Sequence, residues 1–275
     1  MTHLVAKIRD RIRKTRLFIF DLDGTVYLGE TLIPGARDFI NKLCSLHIPY
    51  MFLTNNSSRN ARRYRNTIAG LDIPVTIENI YTSGQATGSY LAKRKPGARI
   101  FVVGTKSLMS ELASYGLAVS DGDGDIDFVV TGFDTELTYA KLRTACDLID
   151  RGVSYIATNP DYVCPIGGRR SIPDCGSICF MIEQATGKKP YVIGKPRPDM
   201  VRQLAQKFSV PVASVTMIGD RLYTDIAAGK NAGAFSVCVL SGEATRRTIN
   251  RSSIKPDAVI NSIADLNPLF SAHRK

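Results

Sequence analysis

The sequence predicts an α/β fold built on a largely parallel sheet, and three observations carry that reading. Apolar runs alternate with amphipathic segments almost throughout the 275 residues, the pattern of strands joined by crossover helices. The first run, Leu17 to Phe20, is apolar at every position, as a strand buried on both faces must be. Four runs stop abruptly in polar clusters: "DLDGT" (21–25), "LTNNS" (53–57), "GKPRPD" (194–199) and "GDRLYTD" (219–225). Open α/β sheets bind their ligands at such places, outside the carboxyl ends of the strands.

The elements follow in order. After the first strand, Pro34 and Gly35 precede Ala36, Phe39, Ile40, Leu43 and Leu46, which are spaced as one helix face. "YMFLT" (50–54) and "RIFVVG" (99–104) read as strands, and a helix carrying Leu108, Leu112 and Tyr115 ends at Gly116. "DFVVTG" (127–132) and "VSYIATN" (153–159) are further strands, with a helix from Tyr139 to Arg151 between them. "YVIGK" (191–195) and "SVTMIGD" (214–220) each lead into a helix, and "FSVCVL" (235–240) and "DAVI" (257–260) complete the series. The run "DGDGDID" (121–127) imitates the start of a calcium loop. Its sixth position is Ile126 where that loop needs Gly, and its twelfth is Gly132 where the loop needs Glu. It reads as an acidic turn before a strand.

Composition narrows the class. An apolar share of 44% with 22% charged residues is that of a soluble globular protein and argues against disorder. No run approaches the ~20 apolar residues a membrane span needs. The N-terminal "MTHLVAKIRDRIRKTR" lacks the apolar core of a signal peptide. The six cysteines (Cys44, Cys146, Cys164, Cys175, Cys179, Cys238) form no CxxC pair of zinc-site type. Reduced thiols and a cytoplasmic location are therefore expected. The net charge of +11 concentrates at Lys7, Arg9, Arg11, Arg13, Lys14 and Arg16 and again at Arg59, Arg62, Arg63 and Arg65. No nucleic-acid motif accompanies it. Solvated helix faces with some attraction for small anions are expected, rather than a nucleic-acid or membrane partner.

If the four motif-bearing strands are neighbours, Asp21, Asp23, Thr54, Asn55, Lys195, Asp220 and Asp225 converge on one crevice. Clustered aspartates without His or Cys make a hard, all-oxygen site that suits Mg²⁺ better than zinc. Lys195 and the Thr54 hydroxyl would then bind the non-bridging oxygens of a phosphoryl group and stabilise its transition-state charge. An ordinary aspartate is ionised at neutral pH and can attack phosphorus. A second one that protonates the departing oxygen must hold a proton, so its pKa has to be raised.

The order and wording of these motifs resemble the haloacid dehalogenase (HAD) superfamily. Thr54 and Lys195 stand 141 positions apart, far more than one βα unit needs, so an inserted domain is expected between them. "YIATNPD" (155–161) and "PDCGSICFMIEQATGKKPYVIGKP" (173–196), with "LTNNSS" and "VLSG" (239–242), resemble the NagD-like subfamily, whose α/β cap covers the active site. The likeness runs from about Thr15 to Leu266. It implies a Rossmann-like parallel-sheet core of residues 1–82 and 188–275, with residues 1–14 a basic extension outside the family pattern. A smaller α/β cap of residues 83–187 would be inserted into that core.

The resemblance also implies roles. Asp21 looks like the nucleophile and a Mg²⁺ ligand. Asp23 looks like the general acid and later the base, with its backbone carbonyl on the metal. Thr54 and Asn55 would bind phosphate, Lys195 would neutralise charge between phosphate and nucleophile, and Asp220 looks like the third metal ligand. Asp225 would support those ligands from behind. In the cap, Asn159 and Asp161, with Cys164, Pro165 and Gly176, occupy the region that faces substrate in relatives.

The leading expectation is thus a Mg²⁺-dependent phosphatase acting through an aspartyl-phosphate on a small phosphorylated metabolite, such as a sugar phosphate or nucleoside monophosphate. A dehalogenase is disfavoured, because Asp23 supplies an acid that carbon–halogen chemistry does not need. A phosphotransferase differs only in the acceptor. A regulatory protein that binds a phosphorylated ligand on the same scaffold is the non-enzymatic alternative, and two intact aspartates count against it. A homodimer is one arrangement the resemblance admits, since caps of this type often carry the dimer contact in relatives.

Overall fold

The computed structural model describes residues 2–167 and 170–270, and no helix among them is long and apolar enough to cross a membrane. The α/β chain divides into two compact units: Met1–Leu53, Arg65–Ile80 and Lys195–Lys275 form the first, and Thr54–Tyr64 with Tyr81–Gly194 the second.

The first unit is built on a six-stranded sheet in the order Ala258–Ile260, Phe235–Val239, Val215–Gly219, Leu17–Phe20, Tyr50–Thr54, Ile80–Thr82. Leu17–Phe20 lies centrally and runs parallel to both neighbours, with Leu17 opposite Val215 and Phe18 opposite Tyr50. With strands on both edges and side chains packed on both faces, all four of its residues are fully buried, which is why the run has no polar alternation. Phe18 meets Phe39 edge-on at 5.5 Å. Phe39 stands on the helix Ala36–Ser45, whose Ala36, Phe39, Ile40 and Leu43 turn inward at the expected spacing. The N–H of Asp21 still donates to the carbonyl of Ile218 at 2.8 Å. The first aspartate is therefore fixed by the ladder itself.

The basic extension forms the helix Thr2–Arg13. Its end is anchored on the first unit: Ile12 is buried, the Arg11 guanidinium donates to the Ala213 carbonyl, and Arg13 Nε donates to the Leu269 carbonyl at 2.8 Å.

The second unit has a five-stranded sheet in the order Tyr191–Val192, Ser154–Ala157, Phe128–Thr131, Arg99–Val103, Ala118–Ser120, parallel throughout. Helices Ser83–Arg94, Lys106–Ala113, Tyr139–Asp150 and Cys175–Thr186 begin at Thr82, Thr105, Thr138 and Asp174, whose side chains each accept a backbone N–H of the first turn. The acidic run at 121–127 is a turn, as expected, and Asp127 receives the Arg99 N–H at 2.9 Å.

One expectation is corrected. The four motif-bearing strands are not all neighbours, because Tyr191–Val192 pairs with Ile156 and Ala157 at the edge of the second sheet. Ile193 and Gly194 extend that ladder through N–H bonds to the carbonyls of Ala157 and Thr158. At Gly194 any Cβ would crowd Asn55 and the Thr158 carbonyl. Lys195 follows directly and belongs to the first unit.

Candidate active site

In the first unit the end of the strand Leu17–Phe20 and the end of its neighbour Val215–Gly219 each deliver an aspartate, Asp21 and Asp220. A π-helical turn, Leu222–Ile226, delivers Asp225; such turns recur at functional sites. All three carboxylates are buried, as is Lys195. The Lys195 ammonium donates to Asp21 Oδ1 at 2.5 Å, Asp225 Oδ1 at 2.6 Å and the Leu53 carbonyl at 3.1 Å, which uses its three protons. Asp225 Oδ2 accepts the Arg221 N–H at 3.0 Å. Asp220 Oδ2 accepts the Glu243 N–H at 2.7 Å, while its Oδ1 has only a long 3.3 Å bond from the Thr25 hydroxyl.

Carboxylate oxygens of Asp21, Asp220 and Asp225 lie within 4.8 Å of one another. Asp21 and Asp225 share the one ammonium and Asp220 lies beside them on neutral donors, so the three carboxylates and Lys195 together carry a charge of about −2 if all are ionised. The pKa shifts follow. Burial, then Asp225, pushes Asp21 well above the usual carboxylate range, and Lys195 pulls it back only in part. Burial and Asp225 push Asp220 up to about 7, against the Glu243 N–H. For Lys195, burial would favour the neutral amine, but Asp21 and Asp225 overcome it and hold the ammonium protonated.

Asp23 is half-buried in the turn that follows, where the Gly24 N–H bonds to the Tyr27 carbonyl at 2.7 Å. Gly24 has φ +83°, a left-handed conformation, and a Cβ there would overlap the Asp220 carboxylate. Glycine is required at that point by both backbone and space.

The remaining predicted residues lie in the second unit. Thr54 ends its strand, and its hydroxyl accepts the Asn56 N–H at 3.1 Å. Asn55 Nδ2 donates to Asp161 Oδ2 at 2.7 Å. Asn159, fully buried, donates to the same Asp161 oxygen and to Asp174 Oδ1, both at 3.1 Å. The structure thus gathers Asp21, Lys195, Asp220 and Asp225 in one unit, with Asp23 in the adjoining turn, and Asn55, Asn159 and Asp161 in the other.

Sequence reasoning missed two residues beside the aspartates and one anchor of the second unit. Thr25 stands inside a motif already singled out, yet its contact with Asp220 could not be read from spacing. Glu243 was unmarked beside "VLSG". Glu111 accepts the Thr82 hydroxyl at 2.6 Å and the Ala61 N–H at 3.0 Å, and it had a signal: it shares a helix face with Leu108, Leu112 and Tyr115.

A parallel α/β core carries an aspartate at each of two neighbouring strand ends, Asp21 and Asp220, and a buried lysine bridges Asp21 to Asp225; that combination defines a class of hydrolase. Residues 18–118 match the haloacid dehalogenase-like hydrolases, and residues 192–266 match a second family described as HAD-hydrolase-like. The chain is 34% identical over 251 residues to 5'-nucleotidase YutF of Bacillus subtilis, covering 91% of this chain and 97% of that one. It is 32% identical to acid sugar phosphatase of Staphylococcus aureus, with 96% of this chain and all of that one covered. Among solved structures, it resembles a 4-nitrophenylphosphatase from Thermotoga maritima (TM-score 0.90, 41% identity, 94% of this chain and 98% of that one). It also resembles NagD from E. coli K-12 (TM-score 0.83, 31% identity, 91% and 98%). The chain belongs to the haloacid dehalogenase-like hydrolases, in their NagD-like branch. It is an enzyme, a HAD-type phosphatase. The expectation of a phosphatase stands, and the non-catalytic alternative gives way.

Proposed function

We propose that the chain is a Mg²⁺-dependent phosphatase that hydrolyses a small phosphomonoester, a sugar phosphate or nucleoside monophosphate, through an aspartyl-phosphate. The observation that carries the reading is the charge imbalance around Lys195. Two buried carboxylates pair with the one ammonium and a third, Asp220, lies beside them on neutral donors; the excess negative charge suits a divalent cation, and an all-oxygen donor set suits Mg²⁺. Asp21 and Asp220 are better placed to hold it than Asp225, whose oxygens accept from Lys195 at 2.6 Å and from the Arg221 N–H at 3.0 Å, whereas Asp220 Oδ1 has a long 3.3 Å bond; the Asp23 carbonyl would join them. Bound there, Mg²⁺ supplies charge neutralisation for the phosphate oxygens.

In this reading an Asp21 oxygen attacks phosphorus as the ester bond breaks, and Asp23 gives its proton to the leaving oxygen. Asp23 then takes a proton from the water that attacks the aspartyl-phosphate, which releases phosphate and restores Asp21. Lys195 holds Asp21 in place and offsets its charge. Thr54 and Asn55 would bind the phosphate, and Asp161, which holds the Asn55 amide, would act on substrate through Asn55. The names of two relatives, a 5'-nucleotidase and an acid sugar phosphatase, support the substrate class.

The test is phosphate release from para-nitrophenyl phosphate and from a panel of sugar phosphates and nucleoside monophosphates, after chelation and after readdition of Mg²⁺. Activity should vanish and return, with at least one metabolite preferred in kcat/KM. Full turnover after exhaustive chelation would contradict the reading.

A further inference from the structure

The tripeptide Ser241–Gly242–Glu243 follows the strand Phe235–Val239 and bonds to both aspartate loops of the first unit. Ser241 Oγ donates to the carbonyl of Gly24 at 2.7 Å, next in the chain to Asp23. The Glu243 N–H donates to Asp220 Oδ2 at 2.7 Å, and the Ala244 N–H donates to the Asp220 carbonyl at 3.1 Å. Gly242, between them, is packed so closely that any Cβ would overlap the Asp220 carboxylate. The Glu243 side chain reaches the other way. Its Oε2 accepts from Arg221 Nε at 3.0 Å and from the Tyr223 hydroxyl at 3.2 Å, residues on either side of Leu222 at the start of the turn that carries Asp225.

We propose that Ser241–Glu243 is a positioning clasp that sets the spacing between the Asp21–Asp23 loop and Asp220 and orients the Asp220 carboxylate for a cation. It rests on the reading of Asp220 as a metal ligand. A carboxylate on a short side chain can swing about its last torsion, and a divalent ion must freeze it. Here Oδ2 is already pinned by a backbone N–H at 2.7 Å, and Oδ1, with the long 3.3 Å bond from the Thr25 hydroxyl, is the oxygen left to face the ion. The backbone that supplies that N–H is itself tethered at both ends, by Ser241 to Gly24 and by the Glu243 carboxylate to Arg221 and Tyr223. Groups that orient ligands in this way are worth about ten- to a hundred-fold in metal affinity. A Glu–Arg pair serving only to stiffen a surface loop would leave metal affinity alone.

The experiment measures Mn²⁺ binding by the electron paramagnetic resonance of free Mn²⁺, and Mg²⁺ by competition, on full-length wild type, Glu243→Ala, Glu243→Gln and Ser241→Ala. Melting temperature and para-nitrophenyl phosphate kinetics at saturating Mg²⁺ are read alongside. Glu243→Ala and Ser241→Ala should each raise the Mn²⁺ Kd about ten-fold. KM at saturating metal should move less than about twofold, because the clasp acts on the ligand and not on substrate. Glu243→Gln keeps an acceptor for Arg221 and Tyr223 and should recover most of the affinity; Ser241→Ala carries the test if Glu243→Ala does not fold. Kd values within about twofold of wild type in folded Glu243→Ala and Ser241→Ala would overturn the clasp while leaving the metal site intact. A wild type that binds neither ion would overturn the clasp and the proposed function together.

Discussion

In the first unit Asp21 and Asp225 share a single ammonium with Asp220 crowded beside them, whereas in the second Asp161, Asp174 and Glu111 are held by neutral donors. Asp174 takes the Cys175 N–H and the Asn159 amide, and Asp161 takes the amides of Asn55 and Asn159. Glu111 takes a hydroxyl and a backbone N–H, and burial raises its pKa against both of them. A neutral donor satisfies an acceptor without cancelling charge. Each of these three carboxylates therefore serves as an anchor, tying a helix start or a loop in place. The carboxylates beside Lys195 have too few positive charges among them, and protons or a cation make up the difference. The difference separates architecture from chemistry within one chain.

The comparison breaks most sharply at Asp21. Asp21→Asn removes the attacking oxygen's charge, so kcat for para-nitrophenyl phosphate should fall by at least about 10³-fold. It also relieves the crowding, so the melting temperature of the metal-free protein should hold or rise. Retention of a tenth of the activity would sink the nucleophile assignment. Glu111→Ala should do the reverse. It strands the Thr82 hydroxyl and the Ala61 N–H, at a cost of about 1–3 kcal/mol by denaturant unfolding, while kcat at saturating substrate stays within about threefold of wild type. A large loss of kcat with unchanged stability would place Glu111 in the chemistry and erase the contrast.

The smallest effect is with pH. Asp220 sits at about 7 in the folded metal-free protein against an ordinary 3.8. Between those values the folded state keeps a proton that the unfolded state has released. Its stability should therefore decline as pH rises through that window, by a few degrees in melting temperature. Saturating Mg²⁺, taking the proton's place, should flatten the decline. A metal-free protein that grows more stable from about pH 5 to about pH 8 would contradict the burial of an uncompensated carboxylate.

Much of this was legible in the residues. Leu17–Phe20 is read correctly because a strand covered on both faces leaves a continuous apolar run, and Val215–Gly219 and Phe235–Val239 because their runs are interrupted only by a single small hydroxyl residue each, Thr216 and Ser236. Asp21 and Asp220 stand out because carboxylates there contradict their surroundings. The sheet to which Tyr191–Val192 belongs was not legible, since "YVI" looks the same whichever neighbours it finds and strand partners are distant in sequence. The hairpin Val163–Gly167 and Arg170–Pro173 stayed hidden behind Pro165 and Pro173, which argue against strand. Nor could spacing show that Asn159 and Asp161 are buried and bonded together, because a polar residue in a loop motif reads alike whether it meets solvent or a neighbour.

The central claim is that the carboxylates beside Lys195 carry more negative charge than that one ammonium offsets, and hold protons until a divalent ion replaces them. Calorimetric titration of Mg²⁺ into the metal-free protein near pH 7, repeated in buffers of different ionisation enthalpy, tests it most directly. One ion should bind per chain and release about one proton as Asp21 and Asp220 become fully ionised, and Asp220→Asn should abolish both signals. Binding without proton release, or an Asp220→Asn protein that titrates like wild type, would show that the cluster is balanced by other means and that the account is wrong.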